Sequence, residues 1–129
     1  MEIIGNGVDI IDNSRIKKSI EKKNFVTRIF SQYEINQSKK LKNKANFFAK
    51  RFAAKEAFVK SIGSGFRNGI NFKDISVTND IFGKPELLVN KKLKNFISKK
   101  FKTKNFKVSL SLADEKNHSI AFVIISKSY

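Results

Sequence analysis

The stretch from residue 47 to residue 65, FFAKRFAAKEAFVKSIGSG, constrains the fold of this chain more than any other part of the sequence. It is rich in alanine and phenylalanine, lacks proline, and has no glycine before Gly63 and Gly65, which favour the end of a helix. The pattern predicts one long helix over residues 45–62. Its large apolar side chains share one stripe, so the other elements of a small domain must pack around this helix.

Charged side chains line both edges of the apolar stripe. Arg51 and Lys55 lie one turn apart on one edge, and Glu56 and Lys60 lie one turn apart on the other. Alanines beside Glu56 would let a neighbouring strand approach it closely. Two interpretations of this acid remain open. It is either the surface partner of Lys60, in a pair worth about 0.2–0.5 kcal/mol, or a functional carboxylate in a ring of cations, a setting that suits a metal ion with phosphates.

A second acid stands out near the N-terminus. Asp9 lies within a short β-branched run, residues 3–11, which predicts a strand buried on much of both faces. Burying a carboxylate in such a strand is costly unless it is paired or binds a metal. The structural alternative makes Asp9 the end of the strand and Asp12 a helix cap. A cap suits Asp12, but it does not account for Asp9, which lies between Val8 and Ile10.

Five motifs make the chain similar to a known family. They are GVDI (residues 7–10), FAKRFAAKEAFVK (48–60), GSGFRNG (63–69), NDIFGKP (79–85) and SLADE (111–115). In order and spacing these motifs resemble those of the holo-[acyl-carrier-protein] synthases, the small, single-domain type of 4′-phosphopantetheinyl transferase. The resemblance covers the chain nearly end to end. Each motif alone is weak evidence, whereas their combination is specific.

The resemblance implies a transfer reaction with coenzyme A as substrate. A serine hydroxyl of the apo acyl carrier protein attacks the β-phosphate of coenzyme A, phosphopantetheine is transferred for fatty acid biosynthesis, and adenosine 3′,5′-bisphosphate leaves. Asp9 and Glu56 match the family's two metal-binding acids. Magnesium prefers oxygen ligands and is usually held by one or two carboxylates together with waters and substrate phosphates. The implied cofactor is therefore Mg²⁺, with Mn²⁺ as a substitute.

Further residues are candidates for contacts to coenzyme A. Lys60, one turn after Glu56, is our candidate for a catalytic contact to a transferring or leaving phosphate oxygen. Arg51 suits a bidentate contact, for which we take the nucleotide 3′-phosphate. The resemblance places the loop containing Gly83 and Pro85 along the pantetheine arm. The alternatives are solvated cations and a plain connecting turn. The proton of the attacking serine would go to Glu56 or to water.

The net charge of +16 would by itself suggest a nucleic-acid partner. Much of it comes from lysines on what we expect to be the solvated face of a helix at residues 90–101 and just beyond. A basic segment at residues 13–23 is more informative, because it predicts a short amphipathic helix directly after the Asp9 strand. In the family this helix docks the acidic acyl carrier protein. Arg15 and Lys22 are therefore candidate carrier contacts that act through long-range attraction.

These observations predict an α+β fold in which an antiparallel sheet packs around the long central helix, as in the 4′-phosphopantetheinyl transferase fold. We expect a single transferase domain over residues 1–129. The remaining predicted elements are a strand at 2–11, a helical segment near 31–40, strands at 74–79 and 86–89, a helix at 90–101, and a closing hairpin of strands 106–113 and 119–126.

The resemblance also implies a homotrimer with active sites between subunits. The C-terminal strand is apolar on both faces, which is compatible with burial in such an assembly. The chain has no cysteine, which suits a reducing cytoplasm, and no apolar run approaches membrane-spanning length. We therefore expect a cytoplasmic protein without a membrane partner.

Two other classes of function remain open. A small basic nucleic-acid-binding protein would account for the charge, but it would leave Asp9 and Glu56 unexplained and would need aromatic residues placed for base stacking. The phenylalanines fall mostly at core-like spacings, so we expect no nucleic acid among the partners. A non-catalytic carrier-protein adaptor would need the basic helix but not the acids. Salt-sensitive RNA or DNA binding without coenzyme A affinity would favour the first class, and carrier binding without turnover the second.

Overall fold

A computed structural model describes residues 1–67 and 69–128. Asn68, which belongs to the glycine-rich motif, and Tyr129 lie outside the described residues. The elements are β1 (Glu2–Asp12), α1 (Asn13–Ser19), α2 (Phe25–Ile29), α3 (Gln32–Ser38), α4 (Lys44–Ile62), a 3₁₀ turn (Phe72–Asp74), β2 (Ile75–Asn79), β3 (Pro85–Val89), α5 (Lys91–Phe101), β4 (Phe106–Asp114) and β5 (His118–Lys127).

The strands of the described residues form two antiparallel sheets. In the larger sheet β5 lies between β1 and β4, and β2 pairs with β3 in a separate two-stranded sheet. The α4 helix packs across one face of the larger sheet, mainly against β1 and β5. The predicted α+β fold around a long central helix is confirmed, and so is the closing hairpin. The prediction of one sheet is too simple, because β2 and β3 pair only with each other.

The α4 helix forms the centre of the core. Phe48, Phe52 and Val59 of the predicted stripe are buried. Burial extends well beyond that stripe, because the larger sheet covers one side of the helix while α1 and α3 pack against it elsewhere. The helix ends at Gly63, whose φ of 74° lies in the left-handed region that glycine adopts without strain. The predicted long helix and its end are confirmed.

An ion pair at the centre of the molecule joins α4 to the elements beside it. Lys55 and Glu34 have side chains that are 0% exposed, and their Nζ and Oε1 atoms lie 2.8 Å apart. Lys55 also donates to the carbonyl oxygens of Ile29, at 2.8 Å, and Phe72, at 3.3 Å. The second oxygen of Glu34 accepts from the backbone N–H of Val77 at 2.8 Å. The sequence pattern placed Lys55 at the edge of the apolar stripe, and the structure buries it with a full set of partners.

The predicted helix over residues 13–23 is shorter in the structure. The α1 helix ends at Ser19, so Lys22 lies in the turn that follows. A new helix, α2, begins after Asn24. The φ of Asn24 is 70°, which is incompatible with a continuous helix, and asparagine tolerates this left-handed conformation better than most residues. At the other end, the Asp12 carboxylate accepts from the backbone N–H of Ser14 at 2.8 Å, so Asp12 is the cap of α1.

The prediction that β1 is buried on much of both faces is wrong for the single chain. Only one face of the strand packs against α4, and Val8 and Ile10 on the opposite face are more than half exposed. Their neighbours across the sheet, Phe122 and Ile120, are also exposed. The apolar run therefore places apolar residues on both faces of β1, and α4 covers only one of these faces.

No helix within residues 1–67 or 69–128 is both long and apolar enough to cross a membrane.

Candidate active site

Two glycines bring β1 into direct contact with the backbone of α4. A methyl group at Gly7 would lie 2.0 Å from the carbonyl oxygen of Ala57 and 2.8 Å from the backbone nitrogen of Ser61. At Gly5 it would lie 2.2 Å from the carbonyl oxygen of Ser61. Only glycine permits this approach. Sequence reasoning missed both positions, although glycine inside a strand often marks a close backbone contact.

This contact places Asp9 beside the edge of α4 that carries Glu56 and Lys60. Ala57 and Ser61 directly follow Glu56 and Lys60, and Asp9 lies two residues after Gly7 on the same face of β1. Lys60 Nζ donates to Asp9 Oδ1 at 3.0 Å and to the carbonyl oxygen of Val8 at 3.1 Å. The side chain of Lys60 is 55% exposed, whereas that of Asp9 is 16% exposed. The structure thus brings together a strand and a helix residue that are 51 positions apart.

Glu56 joins the same cluster. Its side chain is half-buried. Burial raises the pKa of Glu56 and the neighbouring Asp9 carboxylate raises it further, while Lys60 and Arg15 oppose that rise. A carboxylate whose pKa is raised by a second acid, with cations at its edge, belongs to a site that would favour a further positive ion.

The alternative in which Glu56 is simply the surface partner of Lys60 finds no support in the geometry. Among the described residues no ion pair within 4.0 Å joins these two side chains, and Lys60 pairs with Asp9 instead. Within the described residues, Lys60 and Arg15 act on Glu56 only through their electrostatic effect on its pKa.

The donor set suits magnesium. In the part of the chain that the structure describes, no cluster of three or more His, Cys, Asp or Glu side chains could hold a metal. Asp9 and Glu56 would thus supply two oxygen donors and leave the remaining positions to water and phosphate. This is the usual arrangement for Mg²⁺, which is seldom enclosed by protein ligands alone.

Arg51 is not a solvated surface cation. It is buried, its guanidinium lies 3.7 Å from the centre of the Phe47 ring, and Nη1 donates to the Phe47 carbonyl oxygen at 3.4 Å. Burial lowers the pKa of Arg51, and the negative charge of Glu34 opposes that effect. Its Nε is buried without a hydrogen-bond partner among the described residues. The structure places Arg51 on α4 but not in contact with Asp9 or Glu56.

Gly83 and Pro85 lie at the turn between β2 and β3, the two strands of the smaller sheet. The Asp80 carboxylate accepts from the backbone N–H groups of Phe82 and Lys84, at 2.8 and 2.9 Å, which holds the turn in one shape. Gly83 has a φ of 84°, and Pro85 begins β3. The turn is therefore exposed and is held by its own hydrogen bonds.

Arg15 and Lys22 are both exposed, but only one of them belongs to the cluster. Arg15, in the first turn of α1, is close enough to affect the pKa of Glu56. Lys22 lies beyond the end of α1, in the turn before α2. A basic surface thus begins at the carboxylates and continues along α1.

Comparisons with known proteins agree with this geometry. The family model of the 4′-phosphopantetheinyl transferase superfamily matches residues 5–123. A holo-[acyl-carrier-protein] synthase from Pelagibacter ubique is 53% identical over 127 residues, which cover 98% of this chain and 99% of that protein.

Solved structures of similar proteins share the fold. A holo-[acyl-carrier-protein] synthase from Neisseria meningitidis superposes with a TM-score of 0.87 at 35% identity, covering 97% of this chain and 99% of that one. One from Bacillus anthracis, solved in complex with CoA (3′,5′-ADP), gives a TM-score of 0.82 at 35% identity, covering 99% and 100%. Because the family model matches residues 5–123 and a relative is 53% identical over almost the whole length, this chain belongs to the 4′-phosphopantetheinyl transferase superfamily.

Proposed function

We propose that this chain is a holo-[acyl-carrier-protein] synthase, a single transferase domain over residues 1–129. It transfers 4′-phosphopantetheine from coenzyme A to a serine of apo acyl carrier protein and releases adenosine 3′,5′-bisphosphate, for fatty acid biosynthesis. Relatives of that name support this activity, and one of them was solved with CoA (3′,5′-ADP). The observation that carries the proposal is the cluster of Asp9, Glu56 and Lys60 where β1 meets α4.

Asp9 and Glu56 would hold Mg²⁺, for which Mn²⁺ could substitute. When bound, such an ion would hold the pyrophosphate and would neutralise the negative charge that develops in the transfer. The negative charge of Asp9, which raises the pKa of Glu56, supports this assignment, because a divalent cation held by both acids would offset that effect.

The cations of α4 have separate tasks in the proposal. Lys60, whose side chain is largely exposed, contacts an oxygen of the transferring or leaving phosphate. Arg51 contacts the nucleotide 3′-phosphate, a role supported by a guanidinium that lies on the Phe47 ring and has a donor, Nε, without a partner among the described residues. Because phosphoryl-type transfer depends mainly on positioning and charge neutralisation, these contacts supply most of the catalysis.

The remaining assignments complete the substrate site. Glu56 or a water molecule accepts the proton of the attacking serine, and the raised pKa of Glu56 supports its candidacy as a base. The turn that contains Gly83 and Pro85 lies along the pantetheine arm. The hydrogen bonds within this turn support that role, because a loop that is already ordered loses little conformational entropy on binding.

The acyl carrier protein docks on the basic surface that begins at Arg15 and extends to Lys22. Carrier proteins of this class are acidic, so the exposed cations attract them over several ångströms before contact. The influence of Arg15 on Glu56 supports this surface in particular, because the carrier serine must reach the acids.

The assembly we propose is a cytoplasmic homotrimer. The uncovered face of the larger sheet supports self-association, since Val8 lies opposite Phe122 and Ile10 opposite Ile120 in a continuous apolar strip. A protein without cysteine suits the reducing cytoplasm. The nucleic-acid alternative gains nothing from the structure, because most phenylalanines pack against one another in the core rather than on an exposed sheet.

The proposed function is tested by incubating the protein with apo acyl carrier protein, coenzyme A and magnesium. Mass spectrometry should show the gain of one phosphopantetheine on the carrier. A chelator should stop the reaction, and magnesium or manganese should restore it. A carrier that binds without gaining mass would favour the adaptor alternative, and gain of mass in the presence of chelator would contradict the metal assignment.

A further inference from the structure

Lys60 occupies the position where a cation would neutralise the site. Its Nζ lies 3.0 Å from Asp9 Oδ1, and the Val8 carbonyl oxygen holds it from the other side at 3.1 Å. In this structure the Lys60 ammonium therefore supplies the positive charge beside the Asp9 carboxylate.

A lysine ammonium and a divalent cation cannot share Asp9 Oδ1 without strong repulsion between them. We propose that Lys60 competes with the metal ion for Asp9: it holds the carboxylate while the site lacks metal, and it is released towards the substrate phosphate when the metal binds. This inference rests on the proposed metal site at Asp9 and Glu56. It adds a second task to Lys60 and links the two tasks in order.

The environment of Lys60 suits such an exchange. Its side chain is 55% exposed, so the ammonium can leave Asp9 and remain hydrated. An exposed ion pair is worth about 0–1 kcal/mol, so breaking it costs little compared with what a divalent ion gains from two carboxylates. The Val8 carbonyl oxygen is the one further partner among the described residues and is easily replaced by water.

The competition has a consequence that distinguishes it from an ordinary catalytic lysine. Removal of Lys60 should tighten metal binding to the protein without coenzyme A, because the metal no longer has to displace a cation. The same removal should slow phosphopantetheine transfer, because the phosphate loses its contact. A lysine that only contacts phosphate would change transfer alone, and a lysine that only supports the fold would change neither in this direction.

The test is a titration of the parent, Lys60→Gln and Lys60→Met proteins with Mn²⁺ alone. Electron paramagnetic resonance measures the bound Mn²⁺. We expect both variants to bind Mn²⁺ about tenfold more tightly, because the metal ion no longer competes with a positive charge in this half-exposed site. Lys50→Gln is the matched control. Lys50 is also on α4 and pairs with Asp114 at 3.6 Å, outside the site. The Lys50→Gln variant loses the same charge and should bind Mn²⁺ with an affinity within about twofold of the parent. Exposed charges outside the site are screened by salt.

Each result decides one question. Equal or weaker Mn²⁺ binding by both Lys60 variants, with a parent that binds normally, would overturn the competition and leave the proposed function intact. Tighter binding in Lys50→Gln as well would show an effect of net charge only and would also overturn it. A parent whose Mn²⁺ binding does not depend on Asp9, measured with Asp9→Ala, would refute the metal site itself and the inference with it.

Discussion

The α4 helix contains two lysine–carboxylate pairs of nearly equal length that differ in almost everything else. Lys55 lies 2.8 Å from Glu34, and Lys60 lies 3.0 Å from Asp9. The first pair is 0% exposed on both sides, whereas the second has side chains 55% and 16% exposed. The Lys55–Glu34 pair joins α4 to the elements around it, whereas the Lys60–Asp9 pair lies at the solvent-exposed edge of the helix.

The comparison shows how neighbouring residues of one motif divide structure from chemistry. Lys55 is held by Glu34 and two carbonyl oxygens, so it has no capacity for a further ligand. Lys60 is held by one carboxylate and one carbonyl oxygen, and both contacts face solvent. Burial makes the first pair costly to break, and exposure makes the second pair exchangeable.

The largest expected effect concerns the buried pair. Lys55→Met leaves Glu34 as an uncompensated buried charge and should lower the free energy of unfolding by about 3–5 kcal/mol. Urea denaturation followed by circular dichroism measures this loss. Lys50→Met, which breaks an exposed pair on the same helix, is the control and should cost less than about 1 kcal/mol. Equal losses in the two variants would break the comparison.

The next effect concerns the strand that brings Asp9 to α4. Gly7→Ala places a methyl group against the Ala57 carbonyl oxygen, and such overpacking should cost about 1–3 kcal/mol and separate Asp9 from Glu56. We expect Mn²⁺ binding to weaken in the folded variant. Gly5→Ala meets the Ser61 carbonyl oxygen in the same way, but farther from Asp9, and should lose stability with a smaller loss of Mn²⁺ affinity. Identical Mn²⁺ affinities would remove Gly7 from the site.

A smaller effect concerns the basic surface beside the open pair. Arg15→Glu should raise the KM for the carrier about tenfold, equivalent to ~1.4 kcal/mol, and change the KM for coenzyme A much less. The effect should shrink as salt rises, because the exposed charges become screened. Steady-state kinetics at two ionic strengths measure it, with Lys94→Glu on α5 as the control for net charge. Equal damage to both substrates would exclude Arg15 from carrier docking.

The smallest effect concerns stability and pH. Burial and Asp9 raise the pKa of Glu56 above its ordinary value of 4.5. A raised pKa means that the folded state holds the proton more tightly, so this stabilisation is present at low pH and is lost as the pH rises through the raised value. In chelator at pH 7, Glu56→Gln should therefore melt at a temperature roughly 2 °C higher than the parent. Magnesium should stabilise the parent and not the variant, and the reverse order would contradict the assignment.

Sequence patterns were sufficient for the features that depend on local order. The 3.6-residue period and the terminal glycines predicted α4, and two strand-like runs joined by a polar turn predicted the hairpin of β4 and β5. The acids of the candidate site were proposed from sequence: Asp9 because a carboxylate is costly to bury in an apolar strand, and Glu56 because it matches a metal-binding acid of the family.

Features that depend on distant partners were not predictable in the same way. Lys55 and its partner Glu34 are 21 positions apart, and nothing in the local pattern of α4 distinguishes Lys55 from Lys60. The separation of α2 from α1 involves the left-handed conformation of Asn24, which asparagine permits without requiring. The exposed face of β1 depends on which layer covers it, a property of the assembled fold and not of the strand.

The most direct test of the metal pair compares Asp9→Ala, Glu56→Ala and the double variant in phosphopantetheine transfer at limiting magnesium. If the two acids hold one ion, each single change should nearly abolish transfer while leaving the melting transition cooperative. The double variant should then lose little more than either single variant, because the ion is already gone. A correctly folded Glu56→Ala protein that still transfers phosphopantetheine at nearly the parental rate would contradict the central claim that Asp9 and Glu56 form the metal site.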